Sequence, residues 1–180
     1  ADARTCNWAF EQGVSMLTHT FNAMPGLHHR NPGPVGAAID NGEIAMGLIA
    51  DGVHVDPTMA HLLYRLAAEK MVLVSDALSP YGLEEGRYKW DQRFIHVDEG
   101  ICRLEDGTLV GGTKPLLEGC KNLVQWNVQP SAAIWSATVA PRNVLRGNFS
   151  VQDYLVGKSL GNLLRWHFNS NAYELNWHWA

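Results

Sequence analysis

The stretch IAMGLIADGVHVDP, residues 44–57, decides the fold. Seven apolar or small residues, Ile44 to Ala50, run without alternation, as in a strand buried on both faces. Asp51-Gly52-Val53-His54 ends the run with polar groups and a glycine. Asp56 and Pro57 then supply an N-cap and a first-turn proline. The helix they open carries Met59, Leu62, Leu63, Leu66 and Ala67 at i, i+3, i+4, i+7 and i+8.

The same pattern repeats on either side. Upstream, Ala1 to Gln12 reads as a short helix closed by Gly13. Val14 to Leu17 then reads as a strand ending at Thr18-His19, and FNAMPGLHHRNPGPVG, residues 21–36, reads as loop throughout because of its prolines and glycines. Downstream, Met71 to Val74 ends at Ser75-Asp76. Buried strands joined by helices imply a parallel sheet covered on both sides, with ligands at the C-terminal strand ends. His19, His54 and Asp76 sit there.

Beyond Asp76 the spacing predicts short antiparallel strands at Arg93 to Val97 and Ile101 to Leu104, a hairpin inserted in the α/β course. A helix follows over 115–126, with Leu116, Leu117, Cys120, Leu123 and Val124 on one face, and another over 131–139. The tail returns to strand. Leu164, Trp166 and Phe168 alternate with polar neighbours, as do Tyr173, Leu175, Trp177 and Trp179 across the turn at 169–171. Trp126, Trp166, Trp177 and Trp179 fall on apolar faces.

Composition narrows the function. The chain has 180 residues, 46% hydrophobic and 18% charged, with a net charge of −4. That balance gives no basic footprint for nucleic acid, and no apolar run approaches the roughly 18 residues of a membrane span. Cys6, Cys102 and Cys120 are odd in number and far apart, which argues against a disulfide framework and fits a reducing compartment. The start ADARTC has no initiator Met and no signal-like segment, so a fragment is expected. A full (β/α)₈ barrel needs about 250 residues, so the pattern fits the C-terminal part of one.

Each candidate residue carries two readings. A strand-end histidine such as His19 suits a divalent metal through neutral imidazole, or hydrogen-bonds neighbouring strand ends. Asp76 suits a general base or a turn cap. His54 can offer a donor to an oxyanion, or lie on a surface loop. The cluster His28-His29-Arg30 suits phosphate, or is a solvated loop.

Taken in order, THTFNAMPGLHHRNPGPVG, GLIADGVHVDP, LVSDAL, DGTLVGG and EGCKNLVQW resemble the N-acetylglucosamine-6-phosphate deacetylase family of the amidohydrolase superfamily, over Ala1 to about Arg146. The resemblance implies a metal ligand at His19 and phosphate contacts at Asn22 and Ala23. It implies a further phosphate contact from Arg30, reaching across a homodimer in known dimers. It implies a substrate wall at Asp51, Gly52, Val53 and His54, a catalytic acid/base at Asp76, and backbone contacts to the acetyl end from Leu109, Val110 and Gly111. It also implies a divalent metal, zinc first and iron(II) or manganese as alternatives, and a cytoplasmic enzyme of amino-sugar metabolism. The family's further histidine and glutamate ligands are not in this stretch, so the isolated segment is expected to be inactive. Residues 1–147 are expected to form the barrel part and 148–180 the C-terminal hairpin of a small β-sandwich, with 147–154 as unusual sequence between them. A deaminase or cyclic amidase of the same superfamily, or a non-catalytic truncated partner subunit, remains the alternative.

Overall fold

The computed structural model describes residues 1–147, 150–152, 156–159, 161 and 163–179. Helix α1 (Ala3–Glu11) opens on Asp2, whose carboxylate accepts from Thr5 N at 2.8 Å. Strand β1 (Met16–Leu17) is shorter than the sequence pattern predicts. The N–H of Val14 is already spent on Ala9 O at 3.1 Å, closing the helix end, so it does not join the ladder.

Helix α2 (Gly33–Asn41) corrects the expectation of an unbroken loop to residue 36. Pro32 caps it and Pro34 lies in the first turn, where a missing N–H costs no hydrogen bond. Then follow β2 (Ala45–Ile49), α3 (Pro57–Ala67) and β3 (Met71–Val74). The order β1-β2-β3 is parallel, with Met16 opposite Ala45 and Met46 opposite Met71. All five β2 residues are buried, as an uninterrupted apolar run between helical layers requires. Asp56 caps α3 by accepting from Thr58 N at 2.7 Å.

The inserted hairpin is instead a four-stranded antiparallel sheet: β4 (Gly86–Trp90), β5 (Arg93–Asp98), β6 (Ile101–Leu104) and β7 (Leu109–Gly112). β4 is largely exposed and β7 is half glycine, so neither shows the apolar alternation that betrays a strand. The last strand returns to the parallel sheet, where Gly112 bridges Ala77 in parallel sense.

Helix α4 (Leu116–Gln125) buries Cys120, Leu123 and Val124 against Met46, Leu48, Met71 and Leu73. Helix α5 (Pro130–Arg146) runs past its expected end, through Pro141, because Ala140 and Val144 pack on Ala45 and Val72 and hold the following turn in place. Strands β8 (Leu164–Asn169) and β9 (Glu174–Trp179) pair with Trp166 opposite Trp177. Leu175 and Trp166 join the main core beside α4. Trp179 departs from expectation: it is 65% exposed, edge-on to Trp177. The expectations for 147–154 fall mostly on residues outside those described. Cys6, Cys102 and Cys120 are free and buried, and no helix among the described residues is long and apolar enough to cross a membrane.

Candidate active site at the strand ends

The turn after β2 is built around one carboxylate. Asp51 Oδ1 accepts from the N–H groups of Val53 and His54, each at 2.9 Å, and Oδ2 accepts from His54 Nδ1 at 2.6 Å. The two side chains are 7% and 3% exposed. Burial alone pushes the Asp51 carboxyl up, but the hydrogen bonds from His54 and Val53 outweigh it and hold it at about 2. An ionised carboxylate only accepts, so Nδ1 carries the proton. Nε2 is then left to face a ligand, and it is buried with no partner among the described residues.

The turn after β1 has the opposite character. Thr20 N–H donates to Gly47 O at 2.6 Å, so the chain still tracks β2, but His19, Phe21 and Ala23 take φ values of +31°, +78° and +53°. Left-handed backbone at three non-glycine residues costs energy that the surrounding structure must offset. Asn22 N–H reaches back to His19 O at 2.9 Å, and its side chain contacts Thr20 O at 3.4 Å. His19 Nδ1 and Thr20 Oγ1 are buried without partners among the described residues.

Asp76 follows β3, exposed and at φ +48°. Its carbonyl accepts from Gly112 N at 3.1 Å, and Leu78 N donates to Gly112 O at 2.9 Å. A Cβ on Gly111 would come within 2.7 Å of Asp76 O, so only glycine allows this approach of β7 to the strand end. The Asp76 charge also reaches Cys102, whose thiol is raised by burial first and by Asp76 second. A small cleft lined by Ala50, Asp51, Ser75, Lys114 and Asn122 joins the ends of β2 and β3.

The structure thus brings Asp51, Gly52, Val53 and His54 into one turn and Leu109 to Gly111 onto the strand that docks at Asp76. His19, Asn22 and Ala23 share the neighbouring strand end, without a hydrogen bond or ion pair from His19 to Asp76 among the described residues. Arg30 stands apart. It is exposed within the short bridged turn from His28 to Asn31, and its Nη1 donates to His29 Nε2 at 2.8 Å. Sequence reasoning missed Asn122, whose Nδ2 donates to Ala50 O at 2.8 Å. Nothing in the sequence singles Asn122 out, since α4 also carries Glu118, Lys121 and Gln125.

His19 fits a divalent metal in part. A buried imidazole nitrogen with no protein partner has the chemistry of a ligand. Yet no group of three His, Cys, Asp or Glu side chains among the described residues converges on one point. His19 is thus a strand-end histidine whose surroundings suit a ligand role, with no second and third ligand beside it among the described residues.

No family model matches the chain. It is 37% identical over 128 residues to a protein of Escherichia coli (strain K12) provisionally named an N-acetylgalactosamine-6-phosphate deacetylase, covering 71% of this chain and 77% of that one. It is 32% identical over 159 residues to the N-acetylglucosamine-6-phosphate deacetylase of Vibrio furnissii, covering 88% of this chain and 40% of that one. A solved structure from Mycobacterium smegmatis aligns with a TM-score of 0.75 at 28% identity over 81% of this chain and 40% of that one. That protein is an Asp-to-Ala variant of the N-acetyl-D-glucosamine-6-phosphate deacetylase in complex with N-acetyl-D-glucosamine-6-phosphate. Fold, site and likeness define a mixed α/β protein of the amino-sugar-phosphate deacetylase class. Within that class, the chain belongs to the N-acetylglucosamine-6-phosphate deacetylase family. It spans about two fifths of the length of full-length curated relatives.

Proposed function

We propose that this chain serves the hydrolysis of the acetamide of N-acetylglucosamine 6-phosphate to glucosamine 6-phosphate and acetate. The observation that carries the reading is a shared edge: consecutive parallel strands end in His19, the Asp51–His54 pair and Asp76, and the two histidines each present a buried ring nitrogen without a partner among the described residues.

In this reading residues 1–147, with the three parallel strands, form the C-terminal part of a (β/α)₈ barrel, and 148–180 contribute the C-terminal hairpin of a small β-sandwich. His19 holds a divalent metal, zinc first among zinc, iron(II) and manganese, with other ligands from outside this chain. Such an ion supplies polarisation of the acetamide carbonyl and a more acidic water. Asp76 takes one proton from the attacking water and delivers it to the nitrogen as the C–N bond breaks, leaving acetate and a free amine. His54 Nε2, oriented by Asp51, binds the sugar. The Asn22 amide and the Ala23 backbone hold the phosphate, and Arg30 reaches the phosphate of a neighbouring subunit in a homodimer. Backbone of Leu109 to Gly111, tied to Asp76, lines the acetyl end. The cytoplasm suits this chemistry and three free thiols.

The test is metal content and acetate release from N-acetylglucosamine 6-phosphate by the intact protein, with the galacto epimer alongside because one relative carries that name. Asp76→Asn should keep the metal and lose about 10²- to 10⁴-fold in turnover, the usual worth of a general acid/base. A metal-loaded protein that releases no acetate from either epimer, or an Asp76→Asn variant with full turnover, would overturn the assignment.

A further inference from the structure

The segment EGCKNLVQW, residues 118–126, has no part in the chemistry above. We propose that it braces the His54 turn from behind, with Asn122 and Trp126 as positioning residues for the ring nitrogen that His54 presents. The inference rests on the reading of His54 as a substrate contact.

Gly119, Asn122 and Trp126 lie at i, i+3 and i+7, along one line of α4 and its C-cap. Each touches a strand or turn of the site. A Cβ on Gly119 would lie 3.2 Å from Leu73 Cδ2, so its absence lets the helix seat closely against β3. Asn122 Nδ2 donates to Ala50 O at 2.8 Å, just past the last ladder residue of β2. Ala50 is 3% exposed, so its carbonyl would otherwise be a buried acceptor without a donor. The Trp126 ring lies over Gly52, where a Cβ would sit 3.5 Å from Cζ2. Gly52 is at φ +79°, the left-handed step that folds Val53 and His54 N–H groups back onto Asp51. Trp126 is itself anchored: its carbonyl accepts from His61 Nδ1 of α3 at 2.8 Å.

The turn is therefore clamped at successive points. Asp51 holds it from within, Asn122 fixes the residue before it, and Trp126 backs the glycine at its corner. With the backbone of residues 50–54 fixed, the Asp51 carboxylate keeps its bond to His54 Nδ1, and Nε2 keeps one direction and one protonation pattern. Outer partners of metal ligands typically matter about ten- to a hundredfold, and the same scale is expected for a brace on a substrate-binding ring.

The test uses intact protein with ¹⁵N-labelled histidine, reading the His54 tautomer by NMR beside steady-state kinetics and thermal unfolding. Wild type should show a single Nδ1–H form. Trp126→Ala and Asn122→Leu should show mixed tautomers and a KM for the sugar phosphate raised about tenfold or more, with kcat less affected. Trp126→Phe, whose shorter ring leaves the Cζ2 and Cη2 positions over Gly52 empty but keeps the backbone carbonyl for His61, should shift both in the same direction by less than Trp126→Ala. If Trp126→Ala fails to fold, Asn122→Leu and Trp126→Phe carry the same comparison. Folded variants with wild-type tautomer and wild-type KM, or a lower melting temperature alone, overturn the brace. A tautomer shift in a protein whose wild type hydrolyses no amino-sugar phosphate would keep the brace and remove the function.

Discussion

The turns after β1 and β2 lie side by side on one sheet edge and are stabilised in opposite ways. The Asp51–His54 turn is held by hydrogen bonds and packing: one carboxylate takes three hydrogen bonds, the imidazole is tied through Nδ1, and a helix backs it. The His19–Ala23 turn spends energy instead, with three left-handed non-glycine residues and two buried polar atoms without partners among the described residues. Strain of this kind, on the order of 1 to 3 kcal/mol per residue, persists at sites where function needs an unusual geometry. The difference separates orientation from reactivity. One turn aims the free nitrogen of a ring held through its other nitrogen by Asp51, and the other carries its ring on a strained backbone with no partner for Nδ1 among the described residues.

The largest expected effect comes from the open turn. His19→Ala in the intact protein should remove the bound divalent metal and lower turnover at least roughly 10³-fold, the several kcal/mol that metal polarisation supplies. Stability of the metal-free protein should hardly change, since Nδ1 makes no hydrogen bond among the described residues that could be lost. Metal analysis, acetate release and denaturant midpoints decide this together. Full metal content in the variant would break the contrast, because the free nitrogen would then be incidental.

Next in size is the closed turn. Asp51→Ala leaves two backbone N–H groups and the His54 ring without their acceptor in a buried setting, and should cost about 2 to 4 kcal/mol in chemical denaturation. The pH dependence sharpens it. Asp51 is held at about 2, below its ordinary 3.8, so its contribution is present above pH 4 and lost as pH falls toward 2. Asp51→Asn should flatten the stability profile across that window. An unchanged acid limb would mean that the carboxylate is not the linchpin of the turn.

What the sequence made legible follows from the same contrast. Buried parallel strands announce themselves by unbroken apolar runs, so β2 and β3 stand within a residue of where the pattern puts them. Asp56 and Pro57 mark the start of α3 for the same local reasons that the structure shows. β4 and β7 were hidden because their residues are exposed or glycine, and their pairing is decided by tertiary contacts such as Gly112 with Asp76. The helix at Gly33 hid behind prolines that happen to sit in its cap and first turn. At the site, the strand-end position of His19, His54 and Asp76 was readable from where the apolar runs stop. The Asp51–His54 bond and the reach of Asn122 to Ala50 were not, since one depends on a left-handed glycine and the other joins residues 72 positions apart. Strain at His19, Phe21 and Ala23 leaves no mark in composition.

That strain gives the smallest and most discriminating prediction. Ala23 is exposed at φ +53°, so changing it to glycine removes no packing and relieves a conformation that costs an L-residue about 1 to 2 kcal/mol. Glycine's extra freedom in the unfolded chain returns roughly 0.5 to 1 kcal/mol of that. Ala23→Gly should therefore stabilise the fold by about 0.5 kcal/mol in denaturant titrations, while loosening the backbone assigned to the phosphate and raising KM modestly. The pairing of signs is the informative part. A more stable protein that binds sugar phosphate less well is what a turn strained for its ligand produces, whereas a destabilised variant would mean that the left-handed step relaxes in solution and that the two turns differ less than their geometry implies.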